Sequence, residues 1–264
     1  MEIDTVENRS GPTTTLEKQM LVQWCMSAQF FSETVLQDNL KRILGEEHQE
    51  TMQEIIDKLN STLEQFSLAL RSSMSQTSGE RWWALISTNA DGISMTASAY
   101  SAVELGILRQ LIESVFTEPL GNYVIGLHQA VREATEKAPN SFSRREAQDL
   151  VMIFCRDGWL EIDDGKWVTI GQRACIELQQ YLEDAYPEFI RTCGLCKEMA
   201  TTGLVCGECG TFLHPFCADR LKSATTGALS CPECRQQLNS SDAFGPGKSG
   251  IPHSVKLDST QAQD

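Results

Sequence analysis

Apolar residues recur along the first 190 positions with two alternating periods. Leu16, Met20, Trp24 and Ala28 stand at four-residue steps. Leu36, Leu40, Ile43 and Leu44 make a second stripe, and Met52, Ile55, Ile56, Leu59 and Leu63 a third. Such spacing gathers apolar side chains on one helical face, so three amphipathic helices are predicted. The period then shortens. Phe66, Leu68 and Leu70 alternate as in a half-buried strand. The polar run Ser72 to Glu80, with Gly79 in it, reads as a hairpin tip, and Trp82, Trp83, Leu85 and Ile86 as the returning strand. Helices followed by a two-stranded hairpin are the order of elements in a winged helix.

Residues 98–116 carry the strongest helical pattern, with Tyr100, Val103, Ile107, Leu108, Leu111, Ile112, Val115 and Phe116 on a wide apolar face. Pro119 and Gly121 stop it. The helix–hairpin order then repeats. Val124, Leu127, Val131 and Ala134 share a helical face, and Pro139 and Asn140 break the chain. Ser143 and Glu146 have the spacing of a capping box ahead of Ala147, Leu150, Val151 and Phe154. Trp159, Leu160 and Ile162 read as a strand, Asp163-Asp164-Gly165-Lys166 as a tight turn, and Trp167, Val168 and Thr169 as the return. A last helix carries Ala174, Leu178, Tyr181, Leu182 and Ala185, closed by Pro187. The pattern predicts a mainly α fold with short β hairpins. It divides into a disordered N-terminus (1–15), a winged-helix-like unit with a long linking helix (16–119), and a second winged-helix-like unit (120–190). A cysteine-rich module (191–237) and a tail (238–264) follow. The tail from residue 239 holds ten Ser, Gly or Pro and one aromatic, Phe244, so it is expected to be disordered.

Charge narrows the partners. The chain carries 36 acids against 22 bases, net −14, and residues 1–192 account for −13 of it. Arg144, Arg145 and Arg156 flank the helix that a winged helix would lay on DNA, but Glu146, Asp149 and Asp157 stand beside them. A solvated face is favoured over direct DNA contact. No run of ~18 apolar residues predicts a membrane span. Without a signal-peptide pattern at Met1–Thr15, a reducing compartment is expected, where clustered cysteines bind metal more often than they form disulfides.

The ten cysteines are uneven. Seven fall between Cys193 and Cys234, in the run Cys193-x2-Cys196-x9-Cys206-x2-Cys209-x4-His214-x2-Cys217-x13-Cys231-x2-Cys234. A structural zinc takes four Cys or His ligands, so these eight predict two Zn²⁺ ions. Gly194, Gly207 and Gly210 sit in the knuckles, where positive φ is expected. A segment of about forty residues with few large apolar groups needs the metal to fold. A disulfide knot is the alternative, disfavoured by the compartment and by pairs too close to bridge. The pairs can combine in sequence or interleave. Cys25, Cys155 and Cys175 fall in helical patterns and read as buried, inert thiols.

The ligand order, with His fifth, resembles the RING and PHD families, which interleave their pairs in a cross-brace. That resemblance implies Cys193, Cys196, His214 and Cys217 on the first ion and Cys206, Cys209, Cys231 and Cys234 on the second. A histone-reading PHD module usually has an aromatic two positions before its seventh ligand, where Leu229 stands. Leu195, Pro232 and Arg235 are instead RING-like, and the resemblance implies that they contact a ubiquitin-conjugating enzyme. The helix after the sixth ligand, Ala218-Asp-Arg-Leu-Lys222, lacks the Trp of many RINGs. Over residues 16–236 the layout, with Tyr186-Pro187 and the His-Pro-Phe-Cys run at 214–217, resembles the non-structural maintenance of chromosomes element 1 family.

This second resemblance implies a nuclear, chromosome-associated subunit of the five-six structural-maintenance-of-chromosomes complex, acting in recombinational DNA repair. A MAGE-type subunit and a kleisin would be its partners. RING-type ubiquitin ligase activity, with no covalent nucleophile, would be its chemistry. The alternatives are a non-catalytic architectural subunit whose zinc module stabilises the partner interface, and, more remotely, a histone-tail reader.

Overall fold

Thr14 caps the first helix, α1 (Thr15–Ala28), through a capping box with Glu17. Its buried residues are Leu21 and Cys25, while Leu16 is 65% and Met20 45% exposed. Of the expected Leu16–Met20–Trp24–Ala28 stripe, Trp24 and Ala28 pack against the core and Leu16 and Met20 do not. A strict four-residue step overruns the 3.6-residue turn, so the row slides around the helix. The computed structural model describes residues 13–46, 48–88, 100–119, 121–137, 142–224, 229–238 and 243–246. The expectation of disorder over 1–15 lies outside these up to residue 12, and Thr13 to Thr15 are ordered at the head of α1.

A short strand, β1 (Phe30–Ser32), follows, then α2 (Glu33–Leu44) and α3 (Met52–Leu63). A 3-10 turn, Glu64–Phe66, takes the place of the expected strand start, and Phe66 lies on the surface. β2 (Leu68–Met74) and β3 (Arg81–Ser87) make the predicted hairpin. β3 is central: Phe31 pairs with Trp83 on one side and Leu70 with Leu85 on the other. Leu21, Leu36, Ile55, Ile56, Leu59, Leu63 and Trp83 close the core between helices and sheet.

The second unit repeats the order. α4 (Ala102–Phe116) leads to β4 (Val124–Gly126), α5 (Leu127–Lys137), α6 (Arg144–Arg156), β5 (Leu160–Asp163) and β6 (Trp167–Ile170), with strand order β4-β6-β5. Both units thus run helix, strand, helix, helix, strand, strand, the winged-helix order with a third strand that periodicity did not predict. Val124, expected on a helix, opens β4 and pairs with Thr169. α4, expected as a connector, buries Ile107, Leu111, Ile112 and Phe116 in one core with Trp159 and Val168 and so is the first helix of the second unit. Positions 98 and 99 of that pattern lie outside the described residues. The last predicted helix breaks at Leu178 into α7 (Gln172–Glu177) and α8 (Gln179–Ala185), and Pro187–Phe189 forms a 3-10 turn.

The cysteine-rich module contains β7 (Gly203–Val205), β8 (Phe212–Leu213) and α9 (Pro215–Ala224). Of the tail expected to be disordered, residues 239–242 and 247–264 lie outside the described residues, and 243–246 are ordered, contrary to expectation. Ala243–Phe244 forms β9, which pairs with β7, and Phe244 is 1% exposed. Its ring meets Phe212 edge-on at 5.1 Å, under the Arg191 guanidinium. Burying one large aromatic against a waiting strand edge outweighs the low hydrophobic content around it. Cys193, Leu213 and Phe244 belong to the same apolar cluster as Trp159, so the module and the second unit share a core. Among the described residues no helix is long and apolar enough to cross a membrane.

Candidate metal centre

Three tight turns of the same form bring the cysteines together. In each, the first Cys accepts at its carbonyl from the amide four residues on: Lys197 to Cys193 (3.0 Å), Gly210 to Cys206 (2.8 Å) and Arg235 to Cys231 (2.9 Å). The amide of the first Cys donates in turn to the carbonyl five residues on, Glu198, Thr211 or Gln236. This closure puts the residue after the second Cys in the left-handed region, with φ of 64° at Lys197, 71° at Gly210 and 65° at Arg235. Positive φ was expected at Gly194 and Gly207 as well, and neither has it. Gly194 is small for another reason: a Cβ there would come within 2.6 Å of the Thr211 methyl.

The knuckles and the start of α9 gather eight donors into two clusters. Cys193, Cys196, His214 and Cys217 form one, and Cys206, Cys209, Cys231 and Cys234 the other. Within each, the ligand atoms all lie within 4.8 Å of one another, close enough to share one ion. The pairs therefore interleave, and all ten cysteines are free of disulfides.

Two of the donors, Cys193 and Cys209, are held towards the deprotonated form that metal binding requires, while Cys196 and Cys217 are pushed up by burial and neighbouring thiols, and Cys234 by neighbouring thiols. Burial works to raise the Cys193 thiol, but contact with His214 and hydrogen bonds from the Cys196 and Leu195 amides hold it down at about 5. The Thr211 side chain and amide hold Cys209 at about 6. His214 is 3% exposed and turns Nε2 to the Met199 carbonyl oxygen at 2.9 Å. Its Nδ1 faces Cys196 Sγ (3.2 Å) and Cys217 Sγ (3.8 Å). A carbonyl can only accept, so Nε2 carries the proton and Nδ1 is left as the metal ligand. Seven thiols and one oriented imidazole in two closed sets of four fit two structural zinc ions.

The sequence model of the family described as Nse1 non-SMC component of SMC5-6 complex matches residues 18–178, more than half of the chain. The chain belongs to this Nse1 family. A RING-like domain model matches residues 193–234, the two donor clusters. Non-structural maintenance of chromosomes element 1 of Schizosaccharomyces pombe is 25% identical over 196 residues, covering 74% of this chain and 82% of the relative. The homologue from Homo sapiens is 22% identical over 183 residues (69% and 67%), and that from Bos taurus 23% over 185 (70% and 68%). A chain of a solved Nse1-Nse3-Nse4 complex superposes with a TM-score of 0.71 at 20% identity, over 86% of this chain and 98% of the other.

Leu195, Pro232 and Arg235, the RING-like positions of this Nse1-family chain, all lie on the surface, Leu195 at 41% exposure. Leu195 lines a groove of about 730 Å³ with Phe216, Arg220, Leu221 and Ala224 from α9. Pro232 stands over Gly194, beside Leu195, and is outside the groove lining. Arg235 projects from the third knuckle. No sequence signal pointed to the Met199 carbonyl, or to Arg191, which carries the linkage between the second unit and the module. Of the other three cysteines, all expected to be buried, Cys25 is buried and Cys155 and Cys175 are half-buried. Burial pushes Cys25 and Cys175 up to about 12 and Cys155 to about 11. At α6, the Arg156 guanidinium is paired with Asp157 at 2.9 Å.

Proposed function

We propose that this Nse1-family chain is a RING-type ubiquitin ligase subunit of a five-six structural-maintenance-of-chromosomes complex, working in the nucleus in recombinational DNA repair. Cys193, Cys196, His214 and Cys217 would hold one zinc, and Cys206, Cys209, Cys231 and Cys234 the other. The ions supply rigidity rather than chemistry, since each donor set is closed. Leu195 and Pro232 would seat a conjugating enzyme carrying ubiquitin on its own cysteine. Arg235 would restrain that pair in the geometry from which a substrate lysine attacks. The rate gain is one of orientation, without a nucleophile from this chain. Exposure of Leu195 at the mouth of the α9 groove is the observation that carries this reading.

The similar solved structure is an Nse1-Nse3-Nse4 complex, which supports a MAGE-type subunit and a kleisin as the partners proposed for this chain. The test is ubiquitin transfer in vitro by the chain with its MAGE-type partner. Arg235→Gly is the decisive variant: it removes the guanidinium and at the same time relieves the positive φ of that knuckle. Loss of transfer at unchanged zinc content supports the reading. Equal transfer by variant and parent refutes the role of Arg235.

The architectural reading also has an observation behind it. The module shares one apolar core with the second unit, so it can serve as a rigid end-piece of the partner interface. A stable complex that transfers no ubiquitin with any conjugating enzyme in a panel would favour it.

A further inference from the structure

The tip of the first unit's hairpin does not end in solvent. The turn between β2 and β3 is held by its own backbone, Ser75 N–H to the Glu80 carbonyl (2.7 Å) and Gly79 N–H to the Ser75 carbonyl (3.0 Å). It meets the zinc module through Gln76. The Gln76 side-chain oxygen accepts from the amides of Thr201 (2.9 Å) and Thr202 (3.3 Å), and its Nε2 donates to Thr201 Oγ1 (3.1 Å). The Gln76 backbone carbonyl accepts from the Phe216 amide at 3.1 Å. Phe216 is the second residue of α9, where an amide has no partner inside the helix. The first unit therefore supplies a cap that the module lacks. Alongside, the Met74 amide donates to Glu198 at 3.3 Å.

Gly79 packs flat on the Phe216 ring. Its φ is +70°, and a Cβ there would run into the ring. Phe216 is in turn a wall of the groove that holds Leu195. The turn thus backs one wall of the groove.

This contact is polar and peripheral. The first unit's main core and the module's core are separate clusters. The body of the hairpin is fixed elsewhere, where Ala84 and Ile86 pack on Ile176 of α7, and Gln172 donates to Ser73 and the Met74 carbonyl just below the turn. A hairpin anchored along its body by apolar contacts, and at its tip by a few hydrogen bonds, can release the tip without unfolding. We infer that the Ser75–Glu80 turn is a latch on the zinc module, closing on Thr201, Thr202 and Phe216 and fixing the Phe216 wall of the groove. The inference holds whatever the groove binds.

Amide hydrogen exchange on the full zinc-loaded chain tests it. Gln76→Ala removes only side-chain bonds, so a local role predicts faster exchange at Thr201 and Thr202 alone. A latch predicts that Phe216, whose acceptor is the untouched backbone carbonyl, speeds up with them by about tenfold or more. Gly79→Ala, which leaves Gln76 intact, should release the same three amides. Arg71 and Ala84, a hydrogen-bonded pair of the β2–β3 ladder, should stay protected and the zinc content should stay at two. Unchanged Phe216 exchange in both variants overturns the latch. So does an equal loss of protection at Arg71 and Ala84, which would make the turn one cooperative unit with its sheet.

Discussion

His214 Nε2 lies 2.9 Å from the Met199 carbonyl oxygen, and that one bond decides which ring nitrogen faces the thiols. Removing the ring should empty the first cluster while leaving the all-cysteine cluster its four donors. His214→Ala is expected to bind about one zinc instead of two, since each structural ion needs a complete set of four. His214→Cys restores a fourth donor but loses the carbonyl that orients it. It should bind two zincs with the first held about 10–100-fold more weakly, the usual effect of losing an outer-shell partner. Metal analysis and competition with a chromophoric chelator read both outcomes. Two tightly held ions in the alanine variant would contradict the assignment of Nδ1.

Thiol reactivity separates the two classes of cysteine. Cys25, Cys155 and Cys175 are held as neutral thiols by burial, at about 12, 11 and 12. The thiolate is the nucleophile, so these three should resist alkylation at pH 8 in the folded, zinc-loaded chain. Adding a chelator should expose the seven cluster cysteines and leave Cys25 unmodified, because Cys25 lies in the separate core of the first unit. Mass spectrometry of the alkylated chain counts the sites. Early modification of Cys25 would show that the first unit opens with the module.

How far these features were legible follows from where their causes lie. The eight donors stood out because knuckle closure confines each pair to one spacing. Their interleaving came only through resemblance, since spacing alone allowed two pairings. The capping box at Ser143–Glu146 was visible, and the same Ser/Thr-x-x-Glu pattern also marks Thr14, Thr51 and Ser101. β1 and β4 were not visible. Three residues give no period, and their partners lie some forty to fifty positions away, as in Phe30 with Ala84. Burial of Phe244 depends on the edge of β7, which composition around residue 244 does not encode. The acceptors that matter most, the carbonyls of Met199 and Gln76, are backbone atoms and leave no mark in the sequence.

Glu50 gives the first unit a pH dependence of its own. Hydrogen bonds from Lys58 and then Thr13 hold its carboxyl at about 2, with His48 also in contact at 3.2 Å. A carboxyl with a lowered folded-state value adds stability that is complete above its unfolded value, about 4.3, and fades as pH falls towards 2. Glu50→Gln should therefore melt lower than the parent at neutral pH, and the gap should close between about pH 4.5 and 2. Zinc loss in acid affects both proteins alike, so the difference in Tm isolates the carboxyl. A gap that stays constant over that range would rule this origin out.

Arg191 joins the second unit to the zinc module and the tail. Its guanidinium lies 5.3 Å from the Tyr123 ring centroid, 5.0 Å from Phe212 and 5.8 Å from Phe244, and donates to the Gly121 carbonyl at 3.1 Å. Gly121 has φ +68°, and a Cβ would come within 2.5 Å of that guanidinium, so the backbone is shaped around it. Arg191→Ala should cost about 2 kcal/mol, combining one lost charged hydrogen bond with the stacking. Arg191→Lys should recover little of this, because an ammonium cannot spread over three rings. Phe244→Ala should cost about 3–5 kcal/mol as a buried aromatic. The two sites touch, so the double variant should cost less than their sum by about 0.5–1 kcal/mol. Urea unfolding of the four proteins at fixed zinc measures the cycle. Strict additivity would mean that Arg191 and Phe244 stabilise the junction independently and that β9 is held by its strand pairing alone.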